Sequence, residues 1–275
     1  MESPIDNAAE FVHYRPIIES LPAGSKTSDK LILGETAKHR LYYVPFAHEN
    51  LGASLVVVGI TPGPNQLELA IQAVYAWRGH PATTVQLEAK KLASFGSPNM
   101  RPNLMKMLAH FEVARRLGIA SEADLWGRDF EMFQATSIVP HAAFWLKNGK
   151  EKAFNGEFSE VMRSTLLREC FEERFVPLVS RMDPSAVWIA LGRTPRAALE
   201  WCVDKGLLRS DQIAAFAHPS RVAGSQVHYY VRELTRTDLK PRDPVLARCD
   251  WMDESYEMTR KVLDVRFPMP LLPTR

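Results

Sequence analysis

Three short stretches carry residue types that could do chemistry. Gly59-Ile60-Thr61-Pro62-Gly63-Pro64 follows the apolar run Leu55–Val58. Ser137, with Ile138, Val139 and Pro140 after it, ends a second apolar run that begins at Phe130. His218-Pro219-Ser220 follows a third, Ile213–Ala217. A neutral histidine can donate to an oxygen that gains negative charge during a reaction. A threonine or serine hydroxyl can hold a water or meet one polar atom of a ligand. A small-residue turn that opens a helix lets backbone N–H groups approach an anion. Each stretch also has a plain structural reading: a tight strand-to-helix turn, a strand-end serine satisfied by backbone, and a capped histidine.

Other chemistries lack their patterns. The chain contains no G-x-G-x-x-G, no G-x-x-x-x-G-K-[ST] and no G-x-S-x-G, so dinucleotide, P-loop and nucleophile-elbow sites are not expected. The eight histidines form no H-x-H or H-E-x-x-H pair, and no metal is expected. Cys170, Cys202 and Cys249 are far apart, which reads as three reduced, buried thiols. No cofactor is implied. A net charge of +2 neither requires nor excludes nucleic acid. The acidic start MESPIDNAAEF lacks the apolar core of a secretory signal, and no apolar run is long enough to cross a membrane. A cytoplasmic protein without a membrane or obligate protein partner is the expectation.

The elements that must position these stretches share one grammar. A short apolar run is followed by a loop of Gly, Pro, Ser or Thr and then by helical periodicity. Leu55–Ile60 leads to a helix, capped by Asn65, that carries Leu67, Ala70, Ile71, Val74 and Tyr75 on one face. Phe130–Val139 is the second strand. Ala186–Leu191 is the third, with Thr194 as N-cap and Pro195 as the first helical residue of the following helix. Ile213–Ala217 is the fourth, followed by a helix from about Ser225. Further helices are expected over Ala8–Leu21 and Arg101–Leu117, and an edge strand over Leu41–Phe46. The predicted fold class is α/β, a three-layer α/β/α sandwich on a central four-stranded parallel sheet. One domain is expected over 1–275, with an N-terminal helix and lead-in over 1–50 and a C-terminal extension over 236–275. In such a sheet the loops after the strands leave by one edge, where ligands bind.

The pairing of Gly59–Pro64 with His218–Ser220 resembles the uracil-DNA glycosylase superfamily. The first loop is most similar to its mismatch-specific and single-strand-selective branches, whose loop reads Gly-x-Asn-Pro-Gly. Met100-Arg101-Pro102-Asn103-Leu104 and Ala190-Leu191-Gly192-Arg193-Thr194 resemble two further landmarks. The resemblance covers roughly 51 to 234. It implies a monofunctional enzyme that flips a uracil or other deaminated base out of DNA, single- or double-stranded, and hydrolyses its N-glycosidic bond.

The resemblance also assigns roles. His218 would donate to the departing base, and Thr61 would hold the attacking water where the family has Asn. Gly59, Ile60, Phe95 and Ser137 would contact the base, Phe95 by stacking. Pro62, Gly63, Ser220, Arg221, Arg101 and Arg193 would lie along the phosphates, with Lys106 and Arg196 as further cations. Thr61 and Ser137 each replace an amide. That substitution fits the alternative of a non-catalytic nucleic-acid or nucleotide-binding protein on the same fold. A small-molecule enzyme on a doubly wound sheet is the third reading.

Overall fold

The structure, a computed structural model, describes residues 7–220 and 225–269. The class is α/β, with a parallel four-stranded sheet and flanking helices. The chain divides into two compact units interleaved in sequence. One takes 1–51, 58–97 and 134–182, and the other takes 52–57, 98–133 and 183–275.

The first unit contains strands β1 (Ile32–Glu35) and β2 (His39–Tyr42), with β3 (Leu55–Gly59) entering it at Val58. Strands β4 (Phe133–Ser137), β5 (Ala142–Lys147) and β6 (Lys150–Ala153) follow. Its helices are α1 (Asn7–Glu19), α2 (Pro64–Ala76) and α3 (Ala82–Ala93). Later in the chain come α6 (Phe158–Arg163), α7 (Thr165–Cys170) and α8 (Val176–Arg181). Leu67, Ala70, Ile71 and Val74 of α2 are buried with Phe11 and Ile18 of α1 and with Tyr43. Each such large side chain contributes about 1.5–3 kcal/mol. The α2 helix begins at Pro64 with Gly63 as its N-cap, two residues earlier than the expected Asn65 cap. Proline suits that position because its missing N–H would have no intrahelical partner.

This unit also contains an antiparallel sheet that the sequence pattern does not announce. Its order is β1-β2-β5-β6, and only the part near Leu41 was anticipated. The stretch after Pro140, expected as loop, becomes β5, which pairs with β2 from His39↔Trp145 to Tyr42↔Ala142. Asn148 (φ 52) and Gly149 (φ 71) close the β5–β6 hairpin with two consecutive positive φ values, the tight turn that Asn-Gly favours.

The second unit contains α4 (Met100–His110), α5 (Val113–Leu117), β7 (Val187–Leu191) and α9 (Arg193–Asp204). It continues with β8 (Ile213–Phe216), α10 (Gln226–Tyr230) and α11 (Cys249–Arg266). The expected helix over Arg101–Leu117 is interrupted because Glu112 adopts φ 53. The parallel sheet has the order β4-β3-β7-β8, and β7 and β8 pair in register Trp188↔Ile213 to Leu191↔Phe216. The C-terminal extension forms α11, whose Met252, Ser255, Thr259 and Leu263 are buried. The Thr259 hydroxyl accepts the Ala215 N–H (3.2 Å) and donates to the Ala215 C=O (3.1 Å), so α11 satisfies the backbone of the edge strand β8.

The α9 helix starts at Arg193 with Gly192 as N-cap, so Thr194 does not cap it. Gly192 has φ 94 and ψ −176, a conformation essentially reserved for glycine. Its Cβ, if present, would lie 3.4 Å from His218 Cβ. Gly192→Ala is expected to destabilise the protein by about 1–3 kcal/mol in chemical unfolding.

The three cysteines are free and buried, as expected. Among the described residues no His/Cys/Asp/Glu cluster suits a metal ion, and no helix is long and apolar enough to cross a membrane.

Candidate functional site

The first unit holds the first-loop residues. Hydrogen bonds tie β3 to β4 and fix where the loop leaves the sheet: Ile138 N–H donates to Gly59 C=O at 3.0 Å and Val139 N–H to Ile60 C=O at 2.9 Å. A Cβ on Gly59 would lie 3.3 Å from Ser137 Oγ and 3.4 Å from Phe95 Cε1. Gly59, Ser137 and Phe95 are therefore neighbours, and a side chain at 59 would press on the other two. Ser137 and Phe95 are both buried.

Phe95 has φ 52. A bulky aromatic residue in the left-handed region is a genuine outlier, with a strain on the order of 1–3 kcal/mol. Gln66 on α2 holds it there, its Oε1 accepting the Phe95 N–H at 3.0 Å. The signal in the sequence was the Ser94-Phe95-Gly96 step after α3, but Gln66 carried no signal of its own.

Thr61 is engaged by backbone. Its hydroxyl donates to His141 C=O at 2.6 Å and accepts the Ala143 N–H at 2.9 Å. The single donor is thereby committed, and one lone pair remains for a further partner. Thr61 thus fastens the first loop to the start of β5. His141 is buried and accepts the Val44 N–H on Nδ1 at 3.2 Å. Pro62 is buried, whereas Gly63 is half-buried at the α2 N-terminus.

The second unit holds the last-loop residues. His218 is half-buried. Burial, with repulsion from Arg248, pushes its pKa down to about 4, so the ring is neutral near pH 7. Its Nδ1 accepts the Ser220 N–H at 3.3 Å. A backbone N–H can only donate, so the ring proton sits on Nε2 and makes that atom a donor. The segment is clamped from two helices. Asn103 of α4 donates to Pro219 C=O at 2.8 Å, and Gln226 of α10 donates to His218 C=O at 3.2 Å. Gln226 is itself fixed by Arg248, whose guanidinium donates to its Oε1 at 2.9 Å. Asn103 lies inside Met100–Leu104, but nothing local in that stretch signals a clamp on Pro219. Asn103→Leu is expected to lower stability by about 0.5–1.5 kcal/mol in urea unfolding, the net scale of one hydrogen bond.

The basic residues differ in their availability. Arg193 is exposed, with its guanidinium 5.7 Å from the Trp251 ring centre. Arg101 lies 5.2 Å from the Trp126 ring centre, and burial lowers its pKa to about 10. Lys106 is paired with Glu233 at 2.6 Å, and Arg196 with Glu200 at 2.8 Å and Glu254 at 2.6 Å. These carboxylates compete with phosphate for both side chains. Arg221 lies outside the described residues.

No family model matches the chain. YoxB of Bacillus subtilis (strain 168), called an uncharacterized protein, is 27% identical over 226 residues, 81% of this chain and 86% of that protein. The crystal structure of wild-type Pedobacter heparinus SMUG2 matches over 82% of this chain and 96% of its own, at 15% identity and a TM-score of 0.40.

Proposed function

We propose that the protein is a DNA glycosylase of the uracil-DNA glycosylase superfamily that hydrolyses the N-glycosidic bond of a damaged or mispaired base. The observation that supports this reading most is His218. It offers a neutral Nε2–H donor on a segment clamped by Asn103 and Gln226.

In this reaction the bond between the sugar C1′ and the base nitrogen breaks. Positive charge develops on the sugar and negative charge on the base oxygen. The His218 Nε2–H donates to that oxygen, water adds to C1′ with loss of a proton, and the products are a free base and an abasic site. A neutral donor suits this role, because it stabilises the anion without requiring a proton from solution. Phe95, strained at φ 52 and beside Gly59 and Ser137, is the stacking platform. Ser137 meets one polar atom of the base edge. Gly63, Ser220, Arg193 and Arg101 follow the phosphates. Extruding the nucleotide costs a few kcal/mol, which stacking and phosphate contacts offset.

A second reading, nucleotide or nucleic-acid binding without cleavage, is favoured by Thr61. With its donor given to His141 C=O, the hydroxyl can orient a water only as an acceptor. Single-turnover alkaline incision of DNA carrying uracil, hypoxanthine or xanthine separates the two readings. Incision at the lesion supports the glycosylase. Salt-sensitive band shifts with intact DNA support binding alone.

A further inference from the structure

The first unit has a pocket of about 50 Å³ with both polar and apolar residues on its lining. It is separate from the residues assigned to base release. Its polar lining comes from Glu49, Lys90, Gln134, Thr136, His141 and Arg174.

Most of these groups are already matched. Arg174 holds Glu10 through both guanidinium arms at 2.8 Å. Glu49 is paired with Arg181 at 2.7 Å. Gln134 accepts the Asn50 N–H at 2.8 Å and donates to Ala135 C=O at 3.3 Å. His141 accepts a backbone N–H on Nδ1, while its Nε2, 3.7 Å from Glu10, has no hydrogen-bond partner among the described residues.

Lys90 and Thr136 remain. Lys90 is only 4% exposed, and its Nζ donates to Phe46 C=O at 3.2 Å. An ammonium has three donors, and Glu49, the carboxylate on the same lining that attracts it, lies beyond ion-pair distance. Thr136 is 8% exposed, with its side chain on the cavity wall. Val44, Phe46 and Leu178 supply the apolar wall. A buried charge without a partner is expensive unless a counter-charge joins it.

We propose that this cavity binds a small organic carboxylate, its oxygens taken by the Lys90 ammonium and the Thr136 hydroxyl and its carbon chain set against Val44, Phe46 and Leu178. One net positive charge calls for a singly charged ligand, and the apolar wall calls for a ligand with a hydrocarbon part. Burial pushes the Lys90 pKa down to about 8. The side chain thus remains mostly protonated at neutral pH, and a bound anion would favour that form further.

The test is thermal unfolding of the full chain in acetate or propionate, against chloride and phosphate at equal ionic strength. The expected result is a saturable rise in Tm of at least ~2 °C with either carboxylate, with propionate binding more tightly than acetate. Lys90→Met should abolish the rise, and Thr136→Val should weaken apparent affinity at least tenfold. Should Lys90→Met fail to fold, Thr136→Val and a propionate-induced change in the Lys90 side-chain NMR signals decide. A rise matched by chloride, a stronger rise with phosphate, or an unaltered response in Thr136→Val would overturn the proposal.

Discussion

His218→Ala is expected to lower the rate of base release about 10²–10³-fold, the range for removing one donor from a developing oxyanion. The substrate would be DNA carrying whichever of uracil, hypoxanthine or xanthine the wild type releases. Binding of lesion-free DNA should change little, because the lost interaction strengthens only as charge develops on the base. Nitrogen-15 NMR of the wild type provides the companion observation. The ring should stay neutral with its proton on Nε2 at neutral pH and titrate only near pH 4, in line with the burial and the Ser220 contact. An alanine variant with full activity would remove His218 from the mechanism.

Arg174→Met is expected to destabilise the first unit by about 3–5 kcal/mol, because it strands a mostly buried carboxylate. Glu10 on α1 is 13% exposed and Arg174 is 15% exposed, and two bonds of 2.8 Å join them. Burial alone would raise the Glu10 pKa, but the His141 and Arg174 side chains outweigh it and hold it down to about 2. A carboxylate whose folded pKa is depressed adds stability that is complete above its unfolded pKa. Here that stability is lost as pH falls from about 4.5 toward 2, and it amounts to about 3 kcal/mol. Urea unfolding at pH 7 should show the loss in Arg174→Met. Adding Glu10→Gln should restore part of it, since no charge is then left buried. The acid-dependent part of the stability should also shrink in both variants.

The two kinds of sheet show what the sequence made legible. Strands near Leu55–Val58, Val187–Leu191 and Ile213–Phe216 announce themselves as apolar runs cut by Gly or Pro, because strands of a parallel sheet are buried on both faces. The antiparallel sheet lacks that contrast. The outer strand β6 reads Lys-Glu-Lys-Ala and is largely exposed. Its one strong local cue is Asn148-Gly149 between β5 and β6. The α11 helix has a buried stripe at helical spacing, from Met252 through Thr259 to Leu263, but its many charges leave the segment reading only as a C-terminal extension.

At the candidate site, residue types were legible and their partners were not. Nothing local in Thr61 indicates that its hydroxyl joins His141 C=O and Ala143 N–H, some 80 positions away. Asn103 and Pro219 are separated by 116 positions, and Gln66 and Phe95 by 29. Such bonds form only when the sheet and helices have brought the backbone together. A single sequence therefore nominates donors such as His218 and leaves their orientation to the fold.

The most direct measurement is mass-spectrometric counting of free base after stoichiometric protein is mixed with DNA carrying one uracil, hypoxanthine or xanthine. The expected result is release of one of these bases, up to one per DNA, with an intact strand bearing an abasic site and no release by His218→Ala on the same timescale. Recovery of every base still attached to DNA, with the protein bound in excess, would contradict the account and leave a binding protein in its place.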